Sequence, residues 1–173
     1  MSFDDFREKQ FISDVSVKVL VLSSAIITIV MVGAIMYKDY QAGKDIRELQ
    51  QALAIILVVE ALVYLLIFRS PLNTRVGKEG IFVSYKPFLL KGKVFPWNEV
   101  QSWQVRQVNA MREFGGWGYK MTLKRRKTGL IMGSGKGLEV VLTGGKTWVI
   151  TTTNPEMLEI SMRKYAADKE VKA

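Results

Sequence analysis

The chain has 173 residues, 25 Lys/Arg against 16 Asp/Glu, a formal charge of +9, and neither Cys nor His. Without Cys there is no disulfide framework and no thiolate metal site. Without His the commonest general base, the commonest metal ligand and the usual proton switch are all missing. Composition therefore excludes a His-dependent hydrolytic triad or metal centre, and the expectation is a non-enzymatic protein without a cofactor.

The charge is unevenly placed. The first 18 residues hold three Lys/Arg and four Asp/Glu, whereas Arg69 onward holds 19 Lys/Arg and eight Asp/Glu. The whole basic excess thus lies in the C-terminal part, where it suits solubility beside an anionic surface. No recognition helix or known basic motif points to nucleic acid.

Residues 1–18 do not read as a cleavable signal, because Asp4, Asp5, Glu8 and Asp14 cancel a positive n-region. Phe3, Phe6 and Phe11 suggest a weakly amphipathic helix lying at an interface, or packing against a soluble core.

Val19–Tyr37 follows, 19 residues without a charge. As a helix it spans roughly 28 Å, close to a bilayer core of about 30 Å. Ala52–Phe68 is a second apolar run, broken only by Glu60. With the short polar stretch between them, residues 19–68 read as a transmembrane helical hairpin. Arg69, Arg75, Lys78 and Lys86 after the second helix place both termini in the cytoplasm and the loop outside. Glu60 sits near the middle of its helix, where an ionisable group is a functional candidate. It is expected to glue two helices or two protomers together, for example through Ser23, Ser24 or Thr28.

Residues 69–79 read as a linker, with Pro71 stopping the helix. The hydrophobic period then changes to two. Strands are expected over residues 80–86, 88–95, 100–109, 119–124, 128–133, 137–143 and 146–152, about seven antiparallel and half-buried strands. Gly144-Gly145 marks a hairpin, and Trp103, Trp148 and Ile150 fall on inward positions. Asn154 caps a helix with Pro155 at its first position, whose apolar face carries Leu158, Ser161, Met162 and Tyr165. Residues 169–173 read as a charged, fraying tail.

Two phosphate-loop look-alikes fail. Around Gly133-Ser134-Gly135-Lys136-Gly137 and Gly145-Lys146-Thr147 the glycine spacing is wrong, and strands follow where a helix is needed. No nucleotide is expected. Lys91 and Lys93 on the second of these strands, with the loop cluster Lys124, Arg125, Arg126 and Lys127, are candidate contacts to anionic lipid headgroups. Trp117, inside Gly115-Gly116-Trp117-Gly118, reads as a structural bend or as a recognition loop.

Strands closed by one C-terminal helix, together with Gly80-Ile81-Phe82, Tyr85-Lys86-Pro87-Phe88, Pro96-Trp97-Asn98-Glu99-Val100, Glu113-Phe114-Gly115-Gly116-Trp117-Gly118, Gly137-Leu138-Glu139-Val140-Val141-Leu142 and Asn154-Pro155-Glu156, resemble bacterial two-transmembrane-helix proteins with a pleckstrin-homology-like (PH-like) domain, a family of uncharacterised function. The resemblance implies a curved sheet or partly open barrel over residues 80–168, capped by the last helix. It carries over no catalytic residues. The expectation is a membrane-anchored binding module at the cytoplasmic face of a bacterial inner membrane. The alternatives are an assembly subunit that uses the hairpin and Glu60 to pack with a protein partner or a second copy and, less favoured, a small transporter or enzyme.

Overall fold

The computed structural model describes residues 6–12, 14–122 and 126–171. The chain divides into two compact units: residues 13–69, and a β unit that joins residues 1–12 to residues 70–173.

The first unit is the helical pair α1 (Val15–Gln41) and α2 (Arg47–Phe68). Asp14 starts α1 as its N-cap, accepting from the Ser16 N–H at 2.9 Å. At 27 and 22 residues, with mean hydropathies of 2.6 and 2.5, both helices are long and apolar enough to cross a membrane. Neither apolar window is buried inside the protein, unlike the core helix of a soluble domain. Tyr37 and Tyr40, both exposed, mark the loop end of α1, as aromatic residues do at bilayer interfaces.

The second unit carries nine strands among the described residues, in two sheets. The first sheet is β1 (Phe6–Gln10), β2 (Leu72–Gly77), β3 (Gly80–Tyr85) and β4 (Leu89–Pro96), in the order β1-β2-β3-β4, all antiparallel. Two of these strands differ from the sequence expectation. Phe6–Gln10 is a strand and not an interfacial helix: Phe6 enters the core at 4% exposure, and Glu8 accepts from the Thr152 hydroxyl and the Thr153 N–H, both at 2.7 Å. Phe3 lies outside the described residues. The supposed linker contains β2, whose Leu72 and Val76 are fully buried. Pro71 ends the helix as expected, but the strand begins at the very next residue.

The second sheet is β5 (Val100–Val108), β6 (Gly118–Thr122), β7 (Lys127–Ile131), β8 (Gly135–Leu142) and β9 (Thr147–Thr151), in the order β5-β8-β9-β7-β6. It is not the all-antiparallel set that was expected, because β9 lies between β7 and β8 and pairs with β7 in parallel. Every residue of β9 is buried, as befits a strand in the middle of a sheet. The alternating, half-buried reading of this segment is therefore corrected. A short helix, α3 (Ala110–Phe114), follows β5. The sequence reading had no element there.

Phe95 of β4 meets Trp148 of β9, ring centroids 5.0 Å apart, and joins the two sheets. The C-terminal helix α4 (Pro155–Ala166) starts at Asn154, as its sequence demands. It buries Leu158, Ser161, Met162 and Ala166 and offers the Ala166 carbonyl to the Trp103 indole N–H at 2.7 Å. The expected fraying over residues 169–173 is not seen as far as Val171, the last described residue. A 3-10 turn spans Ala167–Lys169, Glu170 takes a bidentate pair from Arg163 at 2.9 and 2.8 Å, and the Val171 N–H donates to the Trp103 carbonyl at 2.9 Å.

Candidate functional site: a basic pocket in the β unit

A cavity of about 420 Å³ opens between β4, β6 and the starts of β7 and β9. Lys93, Arg126, Lys127 and Lys146 line it, with Tyr119 and Trp148 among its walls. Each cation has a local reason for its position. Lys93 stands two residues before buried Phe95, on the same face of β4, and its Nζ lies 4.7 Å from the Trp148 ring centroid and 5.4 Å from that of Phe95, within cation–π range. Arg126 adopts φ 48°, a left-handed conformation uncommon for a residue with a side chain. Its carbonyl accepts from the Thr147 N–H at 3.1 Å, and its guanidinium donates to the Gly144 carbonyl at 3.3 Å. Lys146 follows the Gly144-Gly145 turn, which is closed by the Gly145 N–H on the Leu142 carbonyl at 2.9 Å.

Lys127 is the cation that the protein partly neutralises. Its Nζ lies 3.1 Å from Glu139 Oε2, and Glu139 belongs to a larger cluster. Arg106 of β5 reaches Glu139 at 3.0 and 2.7 Å and Glu113 of α3 at 3.0 and 2.7 Å. Gln104 also donates to Glu139 at 3.1 Å, from the residue opposite it in the β5–β8 register. Burial pushes the Glu139 carboxyl up, but the hydrogen bonds from Arg106, Lys127 and Gln104 outweigh it and the net shift is down. The Arg106 hydrogen bonds likewise hold Glu113 below the usual carboxylate range, against its burial. The Arg106 guanidinium is driven further up, chiefly by Glu113. Glu139 thus fixes Lys127 at the pocket wall.

The candidate residues named from the sequence do not all gather here. Lys93, Arg126 and Lys127 do. Lys91 is exposed on β4 and does not line the pocket, and Lys124 and Arg125 lie outside the described residues. Lys146 and Tyr119 were missed: each reads as an ordinary strand or turn residue until β9 is set beside β7.

Trp117 lies elsewhere and is partly buried. With Phe114 it packs against Val108, Ala110, Ile131 and Val149. The glycines before it end α3: Gly115 is left-handed at φ 67°, its N–H meets the Met111 carbonyl at 3.0 Å, and the Gly116 N–H meets the Ala110 carbonyl at 3.0 Å. Asn109 caps the start of this helix on the Arg112 N–H, and Glu113 returns to the Asn109 N–H.

In the hairpin unit, Glu60 faces a mostly apolar cleft of about 560 Å³ between α1 and α2. The Ser23, Ser24 and Thr28 hydroxyls do not reach it. They donate to the Leu20, Val21 and Ser24 carbonyls of their own helix at 3.0, 2.8 and 2.9 Å. Glu60 Oε2 is buried with no hydrogen-bond partner among the described residues.

The arrangement therefore defines a class: two apolar helices long enough to cross a membrane, and a two-sheet β unit with a helix at its C-terminal end and a cationic pocket. No protein-family model matches the chain, and neither curated proteins nor solved structures give a match.

Proposed function

We propose that this protein is a membrane-anchored, non-enzymatic binding module, with a PH-like domain that takes an anionic group at the cytoplasmic face of a bacterial inner membrane. The observation that carries the reading is the pocket, where Lys93, Arg126, Lys127 and Lys146 converge on about 420 Å³, with Lys127 paired to Glu139. Four cations around one pocket suit holding an anion. Two sheets with a helix at Asn154-Pro155 support the PH-like part. The parallel β7–β9 pair departs from a simple meander and weighs against it.

The full chain in neutral detergent, titrated with inorganic phosphate and separately with short-chain phosphatidylglycerol, tests the pocket through tryptophan fluorescence. Saturable binding that weakens with salt, and that K93Q/K146Q abolishes, is expected for at least one probe. Binding to neither probe, or binding untouched by that pair of substitutions, removes the pocket from the function. The comparison of probes tells a soluble anion from a lipid headgroup. Orientation is tested in this Cys-free chain with an impermeant thiol reagent on whole cells: A42C should react and G144C should not. The opposite pattern reverses the topology.

A second reading has its own support in Glu60. A buried carboxyl oxygen without a donor in a cleft between membrane helices suits a packing site, completed by a hydroxyl or amide of another helix. Under that reading E60Q, which keeps a hydrogen-bonding head, preserves the detergent-extracted assembly and E60L dissociates it. An unchanged assembly in both variants removes the reading.

A further inference from the structure

The register of the first sheet puts four positions side by side at one of its ends. Gln10 pairs with Leu72, Leu72 with Tyr85, and Tyr85 with Leu89. That end is where the chain leaves the sheet for the hairpin on both passes: β1 ends at Gln10 before α1 begins at Val15, and α2 ends at Phe68 before β2 begins at Leu72. Only Arg69, Ser70 and Pro71 separate the end of α2 from the sheet. Even fully extended, those links span about 14 Å. The β3–β4 turn sits two strands from β2, about 10 Å away at the usual strand spacing.

The same end carries the sheet's exposed apolar residues. Among the large hydrophobic residues of residues 6–12 and 70–96, those that stand exposed are Phe11, Phe88 and Leu90, the last two at 59% and 66%. Phe88 stacks on Tyr85 with centroids 5.3 Å apart, which holds the turn in shape. Exposed Lys86 and Lys91 bracket the pair, and exposed Arg69 stands on the neighbouring link. Lys9 lies with its Nζ 5.2 Å from the Phe11 ring. Asp14, at the start of α1, is the acidic group on these links. At the opposite end the β2–β3 turn is Lys78-Glu79, exposed and charged.

We infer that the β3–β4 tip docks into the interface of the bilayer that the hairpin crosses, with Phe88 and Leu90 among the acyl–headgroup boundary and Lys86 and Lys91 on anionic headgroups. Apolar residues flanked by lysines match that interface in both chemistry and charge. The covalent links leave the tip within reach of it. The tip is a third attachment beside the two tethers, and it limits how the β unit can turn over the membrane. The inference rests on the membrane reading of α1 and α2 and is independent of the basic pocket.

The test uses the full chain in vesicles of phosphatidylcholine with phosphatidylglycerol. Single cysteines replace Phe88, Leu90, Lys78 and Ile27 in turn and carry a nitroxide, whose collisions with oxygen and with a water-soluble nickel complex are compared. Ile27, within α1, reports on the membrane reading itself: if oxygen does not dominate there, that reading fails first. With Ile27 in lipid, oxygen should dominate at 88 and 90 and nickel at 78. Leu90 gives a readout that does not disturb the Phe88–Tyr85 stack. Nickel access at 88 and 90 equal to that at 78 overturns the proposal. Protection from both reagents at 88 and 90 also overturns it, because the tip is then covered by protein, a second copy or another partner.

Discussion

Glu139 shows how single side chains set the behaviour of the β unit. It accepts from Arg106, Lys127 and Gln104 at once, and its folded-state carboxyl lies below the ordinary 4.5. A depressed carboxylate contributes stability that is present above its unfolded value and is lost as pH falls through the folded one. Glu113 acts in the same direction. The melting temperature of the full chain in neutral detergent should therefore fall as pH drops below about 4.5. E139Q should destabilise at neutral pH toward the lower end of about 1.5–3 kcal/mol, the range for hydrogen bonds to charged groups. The deficit should shrink in acid, where the parent has lost the same contribution. A deficit that stays constant between neutral and acid pH would mean that packing, not charge, holds the cluster.

At the scale of the element, the α3–β6 segment explains its own glycines. Gly115 and Gly116 terminate α3, and Phe114 seats on Gly129, where an added Cβ would come within 2.7 Å of the ring. Trp117 packs with Phe114 against the cluster of Val108, Ala110, Ile131 and Val149. The segment works as a buttress on the second sheet, and W117A should destabilise the protein. Because Trp117 is only partly buried, the loss should fall at or below the low end of the roughly 3–5 kcal/mol typical of buried aromatic truncations, read by chemical denaturation. A denaturation curve matching the parent's would show that the ring does not support the sheet and would turn attention to it as a recognition loop.

The whole molecule is a β unit interrupted by a hairpin. Strand β1 lies on the far side of residues 13–69 from β2, yet all of β1 pairs with it. A fragment that starts at Gly80 loses both strands, with fully buried Leu72 and Val76 and nearly buried Phe6, and leaves β3 as an open edge. It should not unfold cooperatively. Deleting residues 13–69 and joining Ile12 to Ser70 leaves Phe11, Ile12, Ser70 and Pro71 between β1 and β2, within the usual two to five residues of a hairpin loop. That shortened chain should be water-soluble and melt cooperatively. The reverse outcome, a folded fragment from Gly80 and an unfolded joined chain, would show that β1 and β2 are dispensable.

The sequence by itself determined what depends on neighbours along the chain. Two uncharged or nearly uncharged runs made two helices, because length and hydropathy decide that locally. All seven segments with a period of two became strands, and Asn154-Pro155 started a helix, because a cap needs only its own few residues. What depends on partners distant in sequence was decided only by the tertiary structure. Phe6–Gln10 is too short and too polar to announce a strand, and it becomes one because β2 offers an unpaired edge and Glu8 finds Thr152 and Thr153. Leu72–Gly77 looks like a linker because Asn73, Thr74 and Arg75 dilute its apolar residues. The insertion of β9 between β7 and β8 has no local signal, and it is this insertion that sets Lys146 and Trp148 beside Lys127 and makes a pocket from residues that a linear reading keeps apart.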